Sequence, residues 1–78
     1  MKITYDPEVD ALYIRLIDED VEVTTQRLSQ RVALDIAPDG RVVGLEVLDA
    51  SEVIGRELER VVVEIYRSPV KIEGEAGR

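Results

Sequence analysis

The sequence predicts an α+β fold that is mostly β: an antiparallel meander of five to six strands with one short helix near residues 52–59. Short runs of alternating polar and apolar residues predict the strands, because successive side chains of a strand point to opposite faces. The apolar residues are mainly Val, Leu and Ile, with no Phe and no Trp, and branched aliphatic side chains fit a pleated sheet. The 78 residues have room for one domain, predicted over residues 1–68 and followed by a frayed tail at 69–78.

The first two strands are predicted to form a hairpin. Residues 2–5 alternate polar and apolar side chains, and residues 11–17 return as a second strand. Between them, Asp6 can bond its own backbone and Pro7 fixes φ, a combination typical of a tight turn. At a period of two, the second strand places three aliphatic side chains on one face: Leu12, Ile14 and Leu16.

A third and a fourth strand are predicted at residues 21–26 and 31–36, where polar and apolar residues alternate. Residues 28–30 join them by a loose connection, because Leu, Ser and Gln do not readily take the positive φ of a tight hairpin turn. In the fourth strand, Val32, Leu34 and Ile36 alternate with Arg31, Ala33 and Asp35.

The fifth strand follows the strongest local turn signal in the chain. Residues 37–40 read Ala-Pro-Asp-Gly, a sequence typical of a type I hairpin turn. Residues 41–48 then return as a strand, with Val43, Leu45 and Val47 predicted to point inward. Gly44 within it indicates a bulge or a close approach by a neighbouring side chain.

The helix over residues 52–59 is predicted from Ser51, which fits an N-cap, and from Glu52 in the first turn. Its apolar side, Val53 with Ile54 and Leu58, is interrupted by Gly55, which destabilises a helix by about 1 kcal/mol relative to Ala.

A sixth strand is predicted at residues 60–66, which return to a period of two before Pro69. One short helix cannot cover the inward aliphatic face of such a sheet. Uncovered apolar surface implies a partner, either a second copy or a different chain.

Composition excludes several kinds of chemistry. The chain has no Cys and no His, so disulfides, thiolate metal sites and the commonest general base are absent. Self-association is then the remaining way to stabilise so small a domain.

The net charge of −7 argues against nucleic acid and membrane partners. Without a signal peptide or membrane-spanning segment in the sequence, a cytoplasmic location is expected.

Two stretches of the chain are similar to a known family. Residues 2–16 carry Lys-Ile-Thr-Tyr-Asp, then Glu8, Asp10-Ala-Leu-Tyr-Ile and Leu16, and residues 39–51 read Asp-Gly-Arg-Val-Val-Gly-Leu-Glu-Val-Leu-Asp-Ala-Ser. They resemble the prokaryotic family catalogued as domain of unknown function 2283. The resemblance implies a small β-rich domain without an established activity. Because family members are often encoded beside short toxin-like proteins, it also implies an antitoxin-like role by association.

The acidic turns are candidate metal sites. Alternating acids in a loop can converge on Ca²⁺, which takes six to eight oxygen ligands. Neither turn has the glycine and the bidentate glutamate of an EF-hand loop, so the favoured interpretation is that they are solvated turn tips that discourage edge pairing. The candidates are Asp6, Glu8 and Asp10 in the first turn and Asp18, Asp20 and Glu22 in the second.

Catalysis is not expected, and neither is a cofactor. Ser51 has no His to activate it, and a small meander has little room for a cleft with a desolvated carboxylate.

Tyr13, Val62 and Tyr66 are candidates for an interaction surface, since Tyr joins a large apolar body to a polar tip. The alternative is that each tyrosine merely shields the sheet locally.

These observations favour a small acidic protein-interaction module. It would form a homo-oligomer, such as a homodimer, or a complex with a small basic protein, and it could act in an antitoxin-like way. The alternative is a domain that binds a metal or small ligand through its acidic turns.

Overall fold

Five strands form one open antiparallel sheet in the computed structural model, which describes residues 1–67. The mostly β, α+β class predicted from the sequence is confirmed. The strands are β1 (Lys2–Asp6), β2 (Ala11–Arg15), β3 (Thr24–Arg27), β4 (Val32–Ile36) and β5 (Val42–Leu48). They are followed by helix α1 (Ala50–Val53) and a 3-10 helix (Gly55–Glu59).

The order of the strands in the sheet is β1-β2-β5-β4-β3, so β1 and β3 form its edges. This order differs from a simple meander at one place, because β2 pairs with β5 rather than with β3. Strand β3 begins at Thr24, later than the predicted start at residue 21. Residues 16–23 are therefore a connection long enough to carry the chain to the far edge of the sheet.

One face of the sheet is apolar and carries the helical segment. The cross-strand pairs Leu12 with Val47 and Ile14 with Leu45 share this face, because opposed residues of antiparallel strands point the same way. The side chains that pack over them are Ala50, Ile54 and Leu58. We call this side of the sheet the helix face.

The fully buried core is small. Six hydrophobic residues of the described chain are buried, and three of these are alanines: Leu12, Ala33, Ala37, Val43, Val47 and Ala50. Since alanine contributes little apolar area, the hydrophobic effect has little to act on within one copy.

Gly44 lies at a bulge and under a closely approaching side chain, so both of its predicted features are present. Asp35 pairs with Gly44 while Ile36 pairs with Val42, so Val43 is the additional residue of a bulge. On the other side of the backbone, a Cβ at Gly44 would lie 1.9 Å from the Tyr13 hydroxyl oxygen and 2.4 Å from its ring. Only glycine leaves room for the tyrosine.

The helical segment differs from the prediction. Helix α1 begins at Ala50, and its N-cap residue is Asp49, whose side chain makes no capping hydrogen bond; the prediction of Ser51 as N-cap is wrong. Gly55, at φ 68°, ends α1 after four residues because it takes a left-handed conformation that a helix cannot continue. Val53 is exposed, whereas Ile54 and Leu58 pack against the core as predicted.

The predicted sixth strand is wrong. Residues 60–67 belong to no strand of the described sheet, although their alternating pattern suits one. A strand needs a neighbour for its backbone hydrogen bonds, and residues 61–67 make none with the open edge of β1 or with any other described strand. The predicted tail at 69–78 lies outside the described residues.

Replacing Gly44→Ala is expected to destabilise the protein by about 1–3 kcal/mol, because the new methyl group displaces the ring of Tyr13. Urea unfolding of both proteins at one protein concentration measures the change. The matched control is the same substitution in a Tyr13→Ser background, where the ring is gone and the loss should be smaller. An equal loss in both backgrounds would show that contact with Tyr13 is not the reason for glycine.

Candidate interaction surface

Asp10 joins the first turn of the sheet to the start of helix α1. Its backbone carbonyl accepts a hydrogen bond from the N–H of Ala50 at 3.0 Å. One carboxylate oxygen accepts from the Tyr5 hydroxyl at 2.6 Å and from the N–H of Ser51 at 2.9 Å. The other accepts from the Ser51 hydroxyl at 2.6 Å. The side chain of Asp49 caps none of the N–H groups at the start of the helix. Asp10 instead accepts hydrogen bonds from the N–H groups of Ala50 and Ser51. We call Tyr5, Asp10 and Ser51 the helix clip.

The helix clip uses the ionised form of Asp10. Hydrogen bonds from the side chain of Ser51, from Tyr5 and from the backbone of Ser51 lower the pKa of the Asp10 carboxyl below its ordinary value. The same contact with Asp10 raises the pKa of the Tyr5 phenol. Near neutral pH the clip therefore consists of a carboxylate that accepts three hydrogen bonds, and charged acceptors make the stronger bonds.

Sequence reasoning assigned Asp10 to a metal site and Ser51 to an N-cap, and it missed their contact. Asp10 adopts a positive φ of 54°, and Asp is among the few residues that tolerate such a conformation. The residue type was therefore a signal that Asp10 has a structural role in its turn. The partner could not be inferred, because Ser51 lies 41 residues further along the chain.

A groove of about 440 Å³ lies between the helical segment and the β1–β2 hairpin. Its lining is mainly apolar: Ile3, Tyr5, Leu12, Ile14, Ile54, Leu58 and Val61, with Glu57 and Arg60. The helix clip sets the position of this groove, because it fixes the start of α1 against the turn of the hairpin.

Residues 60–67, which we call the C-terminal strip, follow the 3-10 helix, and Arg60 and Val61 line the groove. Arg60 has φ −151° and ψ 125°, the angles of a strand. The aliphatic side chains that follow are largely exposed, Val63 by 70% and Ile65 by 80%. The predicted interaction residues Val62 and Tyr66 are also exposed, at 58% and 86%. The hydroxyl of Tyr66 donates to Glu64, which raises the pKa of the phenol.

Tyr13, the third predicted interaction residue, lies on the sheet face opposite the helix. Its hydroxyl donates to Asp35 at 2.7 Å, and Thr25 donates to the other oxygen of the same carboxylate. Burial and the contact with Asp35 raise the pKa of the Tyr13 phenol. Tyr13 is half-buried over Gly44, which agrees with local shielding of the sheet. Its part in an interface stays a prediction.

The family model described as "Protein of unknown function (DUF2283)" matches residues 2–51. The chain belongs to this family. No curated protein and no solved structure matches the chain. Within residues 1–67, no helix has the length and apolar character needed to cross a membrane.

The DUF2283 match includes the whole sheet and all three residues of the helix clip. It ends at Ser51, so the 3-10 helix and the C-terminal strip lie beyond the matched residues. The exposed apolar segment is thus attached to the family domain at the point where the clip holds α1.

The acidic turns of this DUF2283 domain lie at opposite ends of β2, as neighbouring turns do in an antiparallel sheet. Asp6 accepts a hydrogen bond from the N–H of Glu8 in its own turn, and Asp10 belongs to the helix clip. In the second turn, Asp18 pairs with Arg15 at 3.6 Å. Within the described part of the chain, no three acidic side chains are placed to hold a metal ion.

Ion pairs with arginine occupy other acids near the sheet ends. Arg41 pairs with Glu19 and Asp39; these contacts raise the pKa of Arg41 and lower that of Glu19. The pKa of Asp39 is lowered first by the hydrogen bond that its carboxylate accepts from the backbone N–H of Arg41. Arg31 pairs with Asp49 and with Glu52. These exposed pairs each contribute little to stability, but they show that both arginines face acids of the same chain.

The substitution Asp10→Asn is expected to destabilise the domain in a pH-dependent way. Because the folded-state pKa of Asp10 is lowered, its stabilisation is complete above its ordinary pKa and is lost as the pH falls through the folded-state value. The difference in unfolding free energy between the natural protein and the variant should be constant above about pH 5 and shrink below about pH 4. Urea unfolding across that range measures it.

Glu8→Gln is the matched control, since it removes one charge from the same turn without touching the helix clip. It should leave the unfolding free energy nearly unchanged at every pH. A difference for Asp10→Asn that does not change with pH would contradict the role of the ionised carboxylate.

Proposed function

We propose that this DUF2283 protein is a protein-interaction module that binds its partner through the C-terminal strip and the adjoining groove. One observation carries the proposal: Val61, Val63 and Ile65 are mostly exposed on a segment that forms no strand in the described structure. Contiguous exposed apolar surface of this kind marks an interaction site. The groove beside it offers further apolar surface at Ile3 and Tyr5, each 39% exposed.

The distribution of charge supports an oppositely charged partner surface. Residues 1–59 carry fourteen acidic and six basic side chains, whereas the C-terminal strip carries one acidic and two basic side chains. An acidic domain attracts a basic surface and disfavours acidic ones. The partner is therefore a second copy that contributes its strip or a small basic protein, and in the latter case the role is antitoxin-like.

The proposal includes no catalytic step. The groove is lined mainly by aliphatic side chains, and the carboxylate of Asp10 at its edge is already engaged by Tyr5 and Ser51. A reaction needs a positioned group that is free to exchange a proton or attack a substrate. The arrangement suits binding.

The substitution Val63→Asp tests the proposal. Val63 is 70% exposed, so the variant should fold as the natural protein does, whereas its complex should be weakened about tenfold or more because a charge replaces buried apolar surface. Native mass spectrometry and sedimentation of protein purified from the cells that encode it measure the complex. Val9→Asp is the matched control, because Val9 is 67% exposed in the β1–β2 turn and the added charge is the same.

A natural protein that stays monomeric and carries no second polypeptide in fixed ratio would contradict the proposal. Equal effects of the two substitutions would contradict the location of the surface. The antitoxin-like version has its own test: co-expression with a short toxin-like protein, if one is encoded beside it, should give a stoichiometric complex and protect the cells. If neither the complex nor the protection is observed, only the antitoxin-like version of the proposal is contradicted.

A further inference from the structure

We infer that the partner of the C-terminal strip is a second copy of this chain, and that each strip adds as a sixth strand to edge strand β1 of the other copy. The inference rests on the proposed function and names its partner. Addition of an extended segment to an exposed sheet edge is a recurrent way in which proteins associate, because main-chain hydrogen bonds supply much of the affinity.

The C-terminal strip has the properties of an amphipathic strand. Its first residue, Arg60, has the backbone angles of a strand, and the described backbone hydrogen bonds include none made by residues 61–67. At a period of two, Val61, Val63 and Ile65 share one side, with Val62, Glu64 and Tyr66 on the other. One side is thus purely aliphatic, as a strand beside an apolar sheet face requires.

The apolar face of the sheet continues to the β1 edge and stops before the β3 edge. The pairs Ile3 with Ile14 and Tyr5 with Leu12 extend the helix face to β1. At the opposite edge, Thr24 and Gln26 occupy the same face. The aliphatic side of the strip therefore complements β1 and does not complement β3.

The described residues supply both halves of the contact, the open edge of β1 and a segment without backbone pairing at residues 61–67. Arg60 and Val61 line the groove beside Ile3 and Tyr5, so the strip leaves its own domain next to β1. A two-fold axis near this point lets each strip reach the other copy's β1, which closes the assembly and leaves neither strip free. The basic strip then lies against the acidic domain of its partner.

The small core gives a physical reason for association of two copies through their C-terminal strips. Half of the six buried hydrophobic residues are alanines, and the chain has no Cys with which to form a disulfide. Oligomerisation is the usual compensation in domains of this size.

Cysteine cross-linking between separately labelled chains tests the inference, and the absence of natural Cys leaves no background thiol. One chain carries Glu64→Cys, and the other carries Lys2→Cys, Thr4→Cys or Asp6→Cys, three positions that cover the register on the matching face of β1. The control partner carries Thr25→Cys at the β3 edge, on the same face. We expect a disulfide between two different chains at one β1 position, in about tenfold excess over the control, because the bond forms only across a short Cβ separation.

A chain that carries both Glu64→Cys and the reactive β1 cysteine should cross-link to a second chain. A disulfide within one chain would show that the strip pairs with its own sheet and would overturn the inference, as would cross-linking no better than the β3 control. Either result can be obtained while Val63→Asp still disrupts a complex with another protein. In that case the proposed function stands, and only a second copy as the partner is excluded.

Discussion

Within the described part of the chain, the apolar face of the five-stranded sheet is covered by residues 50–59, and they are too few to cover all of it. Helix α1 and the 3-10 helix place only Ala50, Ile54 and Leu58 over the sheet, so the β1 side of this face keeps Ile3 and Tyr5 partly exposed. The groove and the exposed C-terminal strip both follow from this shortage of covering residues. The proposed interaction is the way in which such a chain removes its remaining apolar surface from water.

The helix clip decides where that surface lies. Asp10 holds Ser51 through both its backbone N–H and its hydroxyl, and this contact fixes a helix of only four residues that has no side-chain cap of its own. Isolated helices of this length are not stable in water. The matched DUF2283 residues supply the sheet and the clip, and the segment beyond them supplies the apolar strip.

Features coded by neighbouring residues were predictable from the sequence. The β1–β2 hairpin, the turn at residues 37–40 and the special role of Gly44 each depend on short-range turn chemistry or on the lack of a side chain. The pairing of β2 with β5 and the contact of Asp10 with Ser51 join distant parts of the chain, and local propensity carries no information about them. The C-terminal strip shows the same limit, since its pattern indicates a strand but cannot name the strand's neighbour.

Amide hydrogen exchange of residues 61–66 at several protein concentrations tests most directly the claim that this strip is a strand completed by a second copy. Paired amides exchange slowly, whereas those of an exposed extended chain exchange at nearly the rate of an unfolded peptide. The account predicts protection of these amides that increases with protein concentration, together with protection of the β1 edge. Fast exchange of residues 61–66 at every concentration, or protection independent of concentration, would contradict it.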